Sequence, residues 1–293
     1  MRILILGGDG MLGHSFFTHL NEAKLNHDVR VTLRQDLSSY RGCGLFTYEN
    51  AFAGIDVRST NRLSEVFAEF RPEVVVNCVG IVKQRPAARE SIPSLELNAL
   101  LPHRLAVLCK GMGARLVHLS TDCVFSGKKG NYQETEPSDA EDLYGKTKFL
   151  GEVHESHCLT IRTSSVGPEL GSNKGLLGWF LTQRGPVKGF TNAIYTGLTT
   201  PELGKVLELF LFKHPEASGL YQVSGDPINK FDLLMLFKEK LKHDIEIVPD
   251  DTFRCDRSLD SSRFRREFGY APPTWETMVE SLRTKLPKEK TCH

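Results

Sequence analysis

The chain has 293 residues, enough for one large α/β domain or a domain with a smaller companion. It is 40% hydrophobic and 25% charged, an ordinary globular balance. Lys plus Arg (37) and Asp plus Glu (36) cancel to a formal charge of +1, and no basic run is long enough to track a nucleic-acid backbone.

No apolar stretch is long enough to span a bilayer, and Met1 leads directly into a strand-like run with no signal-peptide pattern. The seven cysteines are scattered, without C-x-x-C pairs or metal-ligand spacing, so reduced thiols, no metal site and a cytoplasmic location are expected.

Arg2-Ile3-Leu4-Ile5-Leu6 reads as a strand buried on both faces of a parallel sheet. It runs into Gly7-Gly8-Asp9-Gly10-Met11-Leu12-Gly13, after which Leu12, Phe16 and Leu20 fall on one helical stripe. Strand, glycine turn and helix in that order suit a pyrophosphate, which such a turn lets approach the free N–H groups of the helix start. Gly7, Gly10, Met11, Leu12 and Gly13 are therefore cofactor candidates, although glycine clusters after strands also make plain tight turns.

Residues 29–33 read as the second strand, with Arg34 at its end, about twenty residues past Gly13. An arginine there suits the 2′-phosphate of NADPH; a solvated surface arginine is the competing reading, and nearby Asp36 keeps NADH possible. Asp56 and Val57 end a short strand. Leu63, Val66, Phe67 and Phe70 make a core stripe stopped by Pro72. Residues 73–80 form the next buried strand, whose Val79 and Gly80 fall at the carboxyl end, where open α/β sheets bind ligands. Lys83, Gln84 and Arg85 follow, as a sugar-nucleotide contact or a solvated loop. Asn98 lies on a helix that must accommodate Pro102, so a kink is expected.

Arg115–Leu119 is a strand leading to Ser120-Thr121-Asp122. A Gly- and acid-rich loop over 126–142, expected as a mobile cover, precedes Tyr144-Gly145-Lys146-Thr147-Lys148. On a helix, expected to continue through Val153 and His157, Tyr144 and Lys148 share one face. A phenol beside an ammonium is expected to have its pKa lowered and to trade a proton near neutrality. With a hydroxyl at Thr121 polarising the same carbonyl oxygen, these residues suit ketone reduction by a hydride donor.

These motifs resemble the extended short-chain dehydrogenase/reductases. More narrowly, Ser120 to Gly127, Tyr144 to Lys148, Gly151-Glu152, Arg162 to Gly167 and Ser258 to Phe264 resemble the dTDP-4-dehydrorhamnose reductase family. The resemblance implies an α/β fold, a doubly wound, Rossmann-type parallel sheet with a smaller α/β substrate-binding lobe. Residues 1–166 and 190–214 are expected to form the dinucleotide-binding domain, and 167–189 and 215–293 the lobe. It implies NADPH-dependent reduction of the C4 ketone of a nucleotide-linked 4-keto-6-deoxy sugar, with Thr121, Tyr144 and Lys148 catalytic and no nucleic-acid or membrane partner. Family members are often dimers, so a homodimer is possible.

The resemblance makes Asp56 an adenine neighbour, although it could equally cap the following helix. It makes Asp122 and Cys123 neighbours of the substrate, and Cys123 departs from the tyrosine many relatives carry. Arg254 and Arg257 fall where the family's lobe closes the pocket, matched to a diphosphate or to ion pairs with Asp256 or Asp260. An epimerase or dehydratase on the same scaffold is the second reading. A non-catalytic regulatory subunit is the third, since the resemblance extends to the β subunit of methionine adenosyltransferase.

Overall fold

The computed structural model describes residues 1–23, 27–83 and 89–286. Its large sheet contains β1 (Arg2–Leu6), β2 (Asp28–Thr32), β3 (Ala51–Phe52), β4 (Val74–Asn77), β5 (Arg115–Thr121), β6 (Cys158–Thr163) and β10 (Gly219–Gln222), all parallel. Their order is β10-β6-β5-β4-β1-β2-β3. The winding reverses between β1 and β4, and ligands of such sheets bind at the carboxyl end of that switch.

The unbroken apolar runs follow from burial on both faces. Ile3 and Ile5 enter one core with Phe16 and Leu20 of α1 (Met11–Glu22). Leu4 and Leu6 enter the other with Leu63 and Phe67 of α2 (Thr60–Phe70). Ser59 caps α2 through Arg62 N–H, and Arg71 ends it at φ 50°, just before Pro72. The result is the predicted doubly wound, Rossmann-type architecture.

The helix expected to kink at Pro102 begins as α3 (Ser91–Ser94), widens into a π-helical stretch over Leu95–Leu100, and continues as α4 (Leu101–Met112). The π stretch lies just before the proline, whose ring removes one backbone donor.

The Tyr144 helix is shorter than predicted. α5 (Leu143–Leu150) stops at Gly151, leaving Val153 and His157 outside it. A side chain at Gly151 would place its Cβ 1.9 Å from the Asn98 carbonyl oxygen and 3.2 Å from Pro102. The missing side chain thus lets the end of α5 rest on the π stretch.

The chain then leaves the large sheet. β7 (Ser165–Val166) later pairs with β9 (Leu198–Thr199), and between them lie α6 (Leu176–Thr182) and β8 (Val187–Tyr195). β8 is the centre of a separate sheet, flanked by β11 (Ile228–Asn229) and β12 (Ile247–Asp256). α7 (Thr200–Glu208) packs against α1, and α8 (Lys230–Leu241) lies on the small sheet. α9 (Ser262–Phe268) and α10 (Trp275–Leu282) complete the described chain.

Strand partners divide the chain differently from the expected boundaries. Residues 190–195, expected with the large sheet, belong to the small one. Residues 219–222, expected in the lobe, form the edge strand beside β6, where buried Tyr221 packs on Phe210 and Phe268. In the lobe, β12 runs ten residues to Asp256, with an irregularity between Asp250 and Arg254. Its mostly exposed, polar residues hide it from an apolar-run reading.

Gly151→Ala should drive a methyl group into the Asn98 carbonyl. Such overpacking costs about 1–3 kcal/mol, a fall in Tm of roughly 3 °C or more. Thermal unfolding by circular dichroism checks this, and an unchanged midpoint contradicts the packing account.

Candidate active site at the carboxyl edge of the sheet

At the end of β1, Gly7 turns at φ +78°, donating its N–H to Thr32 Oγ1 (3.2 Å), while Gly8 N–H reaches the Thr32 carbonyl (2.9 Å). A Cβ on Gly8 would lie 2.5 Å from Val31, and one on Gly13 would lie 2.0 Å from the Gly7 carbonyl oxygen. Gly10 caps α1 in extended conformation without a side-chain hydrogen bond. Half-buried Met11 and Leu12 follow in the first turn. The glycines therefore let the turn pack tightly on β2 and on its own backbone, which leaves the first-turn N–H groups of α1 as the donors at this edge.

The Asp9 carboxylate accepts from Tyr40 Oη (2.8 Å), which in turn accepts from Gln35 N–H (3.2 Å), lacing the glycine turn to the loop after β2. Burial first, and Asp9 second, push the Tyr40 phenol up to about 12. The sequence reading missed this link, because neither residue belongs to the glycine spacing. Arg34 is exposed at the rim, and its charge acts on both Tyr40 and Asp56. Asp56 is engaged by Arg58 (2.6 Å), which holds its carboxyl below the usual range; Ser59, not Asp56, caps α2. Val57 is half-buried against the second core.

Across the switch point, the Val79 methyl stands 3.0 Å from where a Gly7 Cβ would be, and exposed Gly80 borders Asn98 Oδ1. Asn98 Oδ1 accepts from Ile81 N–H (2.8 Å), while its Nδ2 donates to the Ile81 carbonyl (3.1 Å) and Thr147 Oγ1 (3.3 Å). It thereby fixes the loop after β4 to α5. Lys83 pairs with Asp142 (2.6 Å), whose other oxygen caps α5 through Gly145 N–H (2.8 Å). Gln84 and Arg85 lie outside the described residues.

β5 delivers Thr121 to the same edge. Its hydroxyl donates to Asp122 Oδ1 (3.0 Å), accepts from Cys123 N–H (3.1 Å) and lies beside the Tyr144 phenol. Gly145 makes this approach possible, because a Cβ there would sit 2.2 Å from the Cys123 carbonyl oxygen. Lys148 is buried and donates to the Leu119 carbonyl (2.7 Å). Thr121 and Tyr144 thus stand side by side at the end of β5, whereas Lys148, on the same helix, is held on the Leu119 carbonyl.

Their electrostatics differ from expectation. Burial pushes the Tyr144 phenol well above its ordinary value, with Cys123, Asp122 and Asp142 adding to the rise and Thr121 opposing it. Burial lowers Lys148 to about 8, against the charges of Glu152 and Cys78. Helical spacing put both side chains on one face, but Lys148 is committed to a carbonyl and desolvation dominates the phenol. Burial also raises Asp122, opposed by Thr121, Arg257 and Ser164, and pushes the Cys123 thiol up to about 12.

A cavity of about 340 Å³ opens beside these residues, its lining including Lys83, Cys123, Phe125, Asp142 and Arg257. Arg257 donates to the Phe125 carbonyl (2.7 Å) and makes neither of its expected ion pairs. Arg254 is exposed on β12, in register with Asn192, and is not brought to the cavity. The loop expected as a mobile cover is fastened: Tyr132 stacks on Phe125 (4.1 Å), its N–H reaches the Ser258 carbonyl (2.9 Å), and Asp260 N–H returns to the Tyr132 carbonyl (2.8 Å). A larger cavity, about 770 Å³, lies along α8 and shares no lining residue with this site. Among the described residues, no group of three or more His, Cys, Asp or Glu could hold a metal ion, and no helix is long and apolar enough to cross a membrane.

The model of the RmlD substrate binding domain matches residues 1–183. The chain belongs to this family. It is 28% identical to the dTDP-4-dehydrorhamnose reductase of Salmonella typhimurium, covering 98% of each chain. It is also 28% identical to the spore coat polysaccharide biosynthesis protein SpsK of Bacillus subtilis, covering 99% of each. The β subunit of methionine adenosyltransferase 2 from Bos taurus is 29% identical over 52% of this chain and 41% of its own. The RmlD-type fold is shared with a dTDP-4-dehydrorhamnose reductase from Bacillus anthracis solved in complex with NADP (TM-score 0.78, 21% identity, 98% and 99% coverage).

Lys148 allows a pH test of this geometry. Its folded-state pKa lies below its unfolded value, so between about pH 8 and 10 the unfolded chain binds the extra proton and stability from this group rises with pH. The stability difference, wild type minus Lys148→Met, should move toward wild type by about 2 kcal/mol between pH 7.5 and 9.5. Urea unfolding at both pH values measures it, and no change would mean that Lys148 is not desolvated.

Proposed function

We propose that the chain is an NADPH-dependent reductase of the C4 ketone of a nucleotide-linked 4-keto-6-deoxy sugar, a dTDP-4-dehydrorhamnose reductase-like activity. One observation carries the reading: Thr121 and Tyr144 lie side by side at the end of β5, with Lys148 on the same helix, at the carboxyl edge that also carries the glycine turn. The full-length similarity to a dTDP-4-dehydrorhamnose reductase supports the substrate class.

The turn suits a dinucleotide, since its tight packing sets the free first-turn N–H groups of α1 at the carboxyl edge and Arg34 offers an exposed cation for a 2′-phosphate. NADH remains the second cofactor. When bound, the reduced nicotinamide supplies the hydride that goes to the sugar's C4 carbon. Tyr144 gives its hydroxyl proton to the developing alkoxide oxygen, and Thr121 hydrogen-bonds the same oxygen. The Lys148 ammonium stabilises the phenolate left behind, which needs it closer to the phenol than the Leu119 carbonyl now holds it. Lys83 and Arg257, beside Cys123 and Asp122, suit the diphosphate of the sugar nucleotide. Arg254, exposed on β12, is left without a part in this reading.

A non-catalytic, NADP-binding regulatory role is the competing reading, favoured by the unactivated Tyr144 phenol and by the similarity to methionine adenosyltransferase β subunits. NADPH absorbance with a panel of 4-keto sugar nucleotides separates the two. The reductase reading expects consumption, and Tyr144→Phe should lower kcat by ~10²–10⁴ while leaving NADPH affinity intact. Near-full turnover in Tyr144→Phe removes the proton donor from the account; tight NADPH binding without consumption by wild type favours the regulator.

A further inference from the structure

Tyr195 ends β8, the central strand of the lobe, and its ring packs at 5.6 Å on Trp275. Its hydroxyl is buried with no hydrogen bond of normal geometry, although the Ser164 side chain lies beside it. A Cβ on Gly197 would come within 2.3 Å of both the Tyr195 Cζ and its hydroxyl oxygen. The chain thus omits a side chain where this phenol needs room, yet gives the hydroxyl no firm partner. A Phe would pack on Trp275 as well, and an unsatisfied buried hydroxyl costs about 1–3 kcal/mol.

The surroundings are those of the reaction site. Asp122 and Cys123 both act electrostatically on Tyr195, and the same two residues act on Tyr144. Cys123 lines the cavity that holds Lys83 and Arg257. Ser164 lies between the two phenols' neighbourhoods, touching the Asp122 carboxyl as well as the Tyr195 hydroxyl. The other buried side-chain polar atoms without partners among the described residues belong to His118, Thr199 and Gln222; like Tyr195, none of these residues lines the cavity itself, and Tyr195 is tied to it through Ser164, Asp122 and Cys123.

We propose that Tyr195 is a substrate-binding residue of this site, its hydroxyl donating a hydrogen bond to a ring hydroxyl of the bound hexose. The inference rests on the nucleotide-sugar reading above and adds the group that the lobe contributes to recognition of the sugar. It assigns Tyr195 no proton transfer. Tyr144 keeps that role, and Tyr195 fixes the sugar's orientation beside the small Cys123 side chain.

The test uses the full-length protein and Tyr195→Phe, with dTDP-rhamnose as the calorimetric probe, NADPH affinity by fluorescence, thermal unfolding, and KM and kcat with a 4-keto sugar nucleotide. The expected result is an unchanged or raised Tm, unchanged NADPH affinity, about tenfold weaker dTDP-rhamnose binding and a matching rise in KM, with kcat moved much less. A lowered Tm with unchanged sugar binding would make the hydroxyl structural and overturn the proposal. A wild type that binds and a Tyr195→Phe that binds equally well would sink this inference alone. A wild type that binds no sugar nucleotide would sink the parent reading, and this one with it.

Discussion

The chemistry of this chain depends on how closely the start of α5 approaches the end of β5. With no side chain at 145, the helix backbone comes against the Cys123 carbonyl, and Tyr144 stands beside Thr121. Asp142 secures the approach by capping α5 on one oxygen and holding Lys83 on the other. At the far end of the helix, Gly151 rests on the π stretch that carries Asn98, and Asn98 returns to Thr147 in the middle of α5. An eight-residue helix this short has little stability of its own. Contacts at both ends and the middle therefore decide where the phenol stands.

Beneath that contact lies a buried ionic framework. Arg162 makes two hydrogen bonds to Glu152 (2.7 Å each), and Glu152 also accepts from Ser120 (2.7 Å), joining β5, β6 and the end of α5. Removing one partner of such a pair leaves a buried charge uncompensated, at a cost of about 3–5 kcal/mol. The same Glu152 is the charge that most opposes deprotonation of Lys148. Burial and this carboxylate together leave Lys148 titrating near 8, while burial holds the Tyr144 phenol protonated.

Much of this was legible in the sequence because parallel sheets buried on both faces demand continuous apolar runs. Ile3 to Leu6 and Val74 to Val76 announce themselves, and the glycine turn follows a strand where chemistry needs it. Strands with one open face were harder. β12 carries Asp250, Asp251, Thr252 and Arg254 over its middle and shows no apolar run, while the lobe's boundaries were misplaced at 190–195 and 219–222, where only strand pairing shows which sheet β8 and β10 join. The end of α5 was overrun because Val153 and His157 kept helical spacing, whereas the stop is imposed from outside by Asn98 against Gly151. The direction of the Tyr144 shift was beyond the sequence, because spacing reports which side chains share a face and says nothing of how much water each has lost. The Asp9–Tyr40 link and the Tyr195 hydroxyl depend on folds of the chain that bring residues together across 31 positions or across two sheets.

The most direct measurement is a crystal structure of the ternary complex with NADP and dTDP-rhamnose. The account predicts the sugar's C4 hydroxyl oxygen within hydrogen-bonding distance of both Thr121 Oγ1 and Tyr144 Oη, with the pyrophosphate lying along Gly7 to Gly13. A sugar lodged elsewhere, or a C4 oxygen bonded to neither hydroxyl, would contradict it.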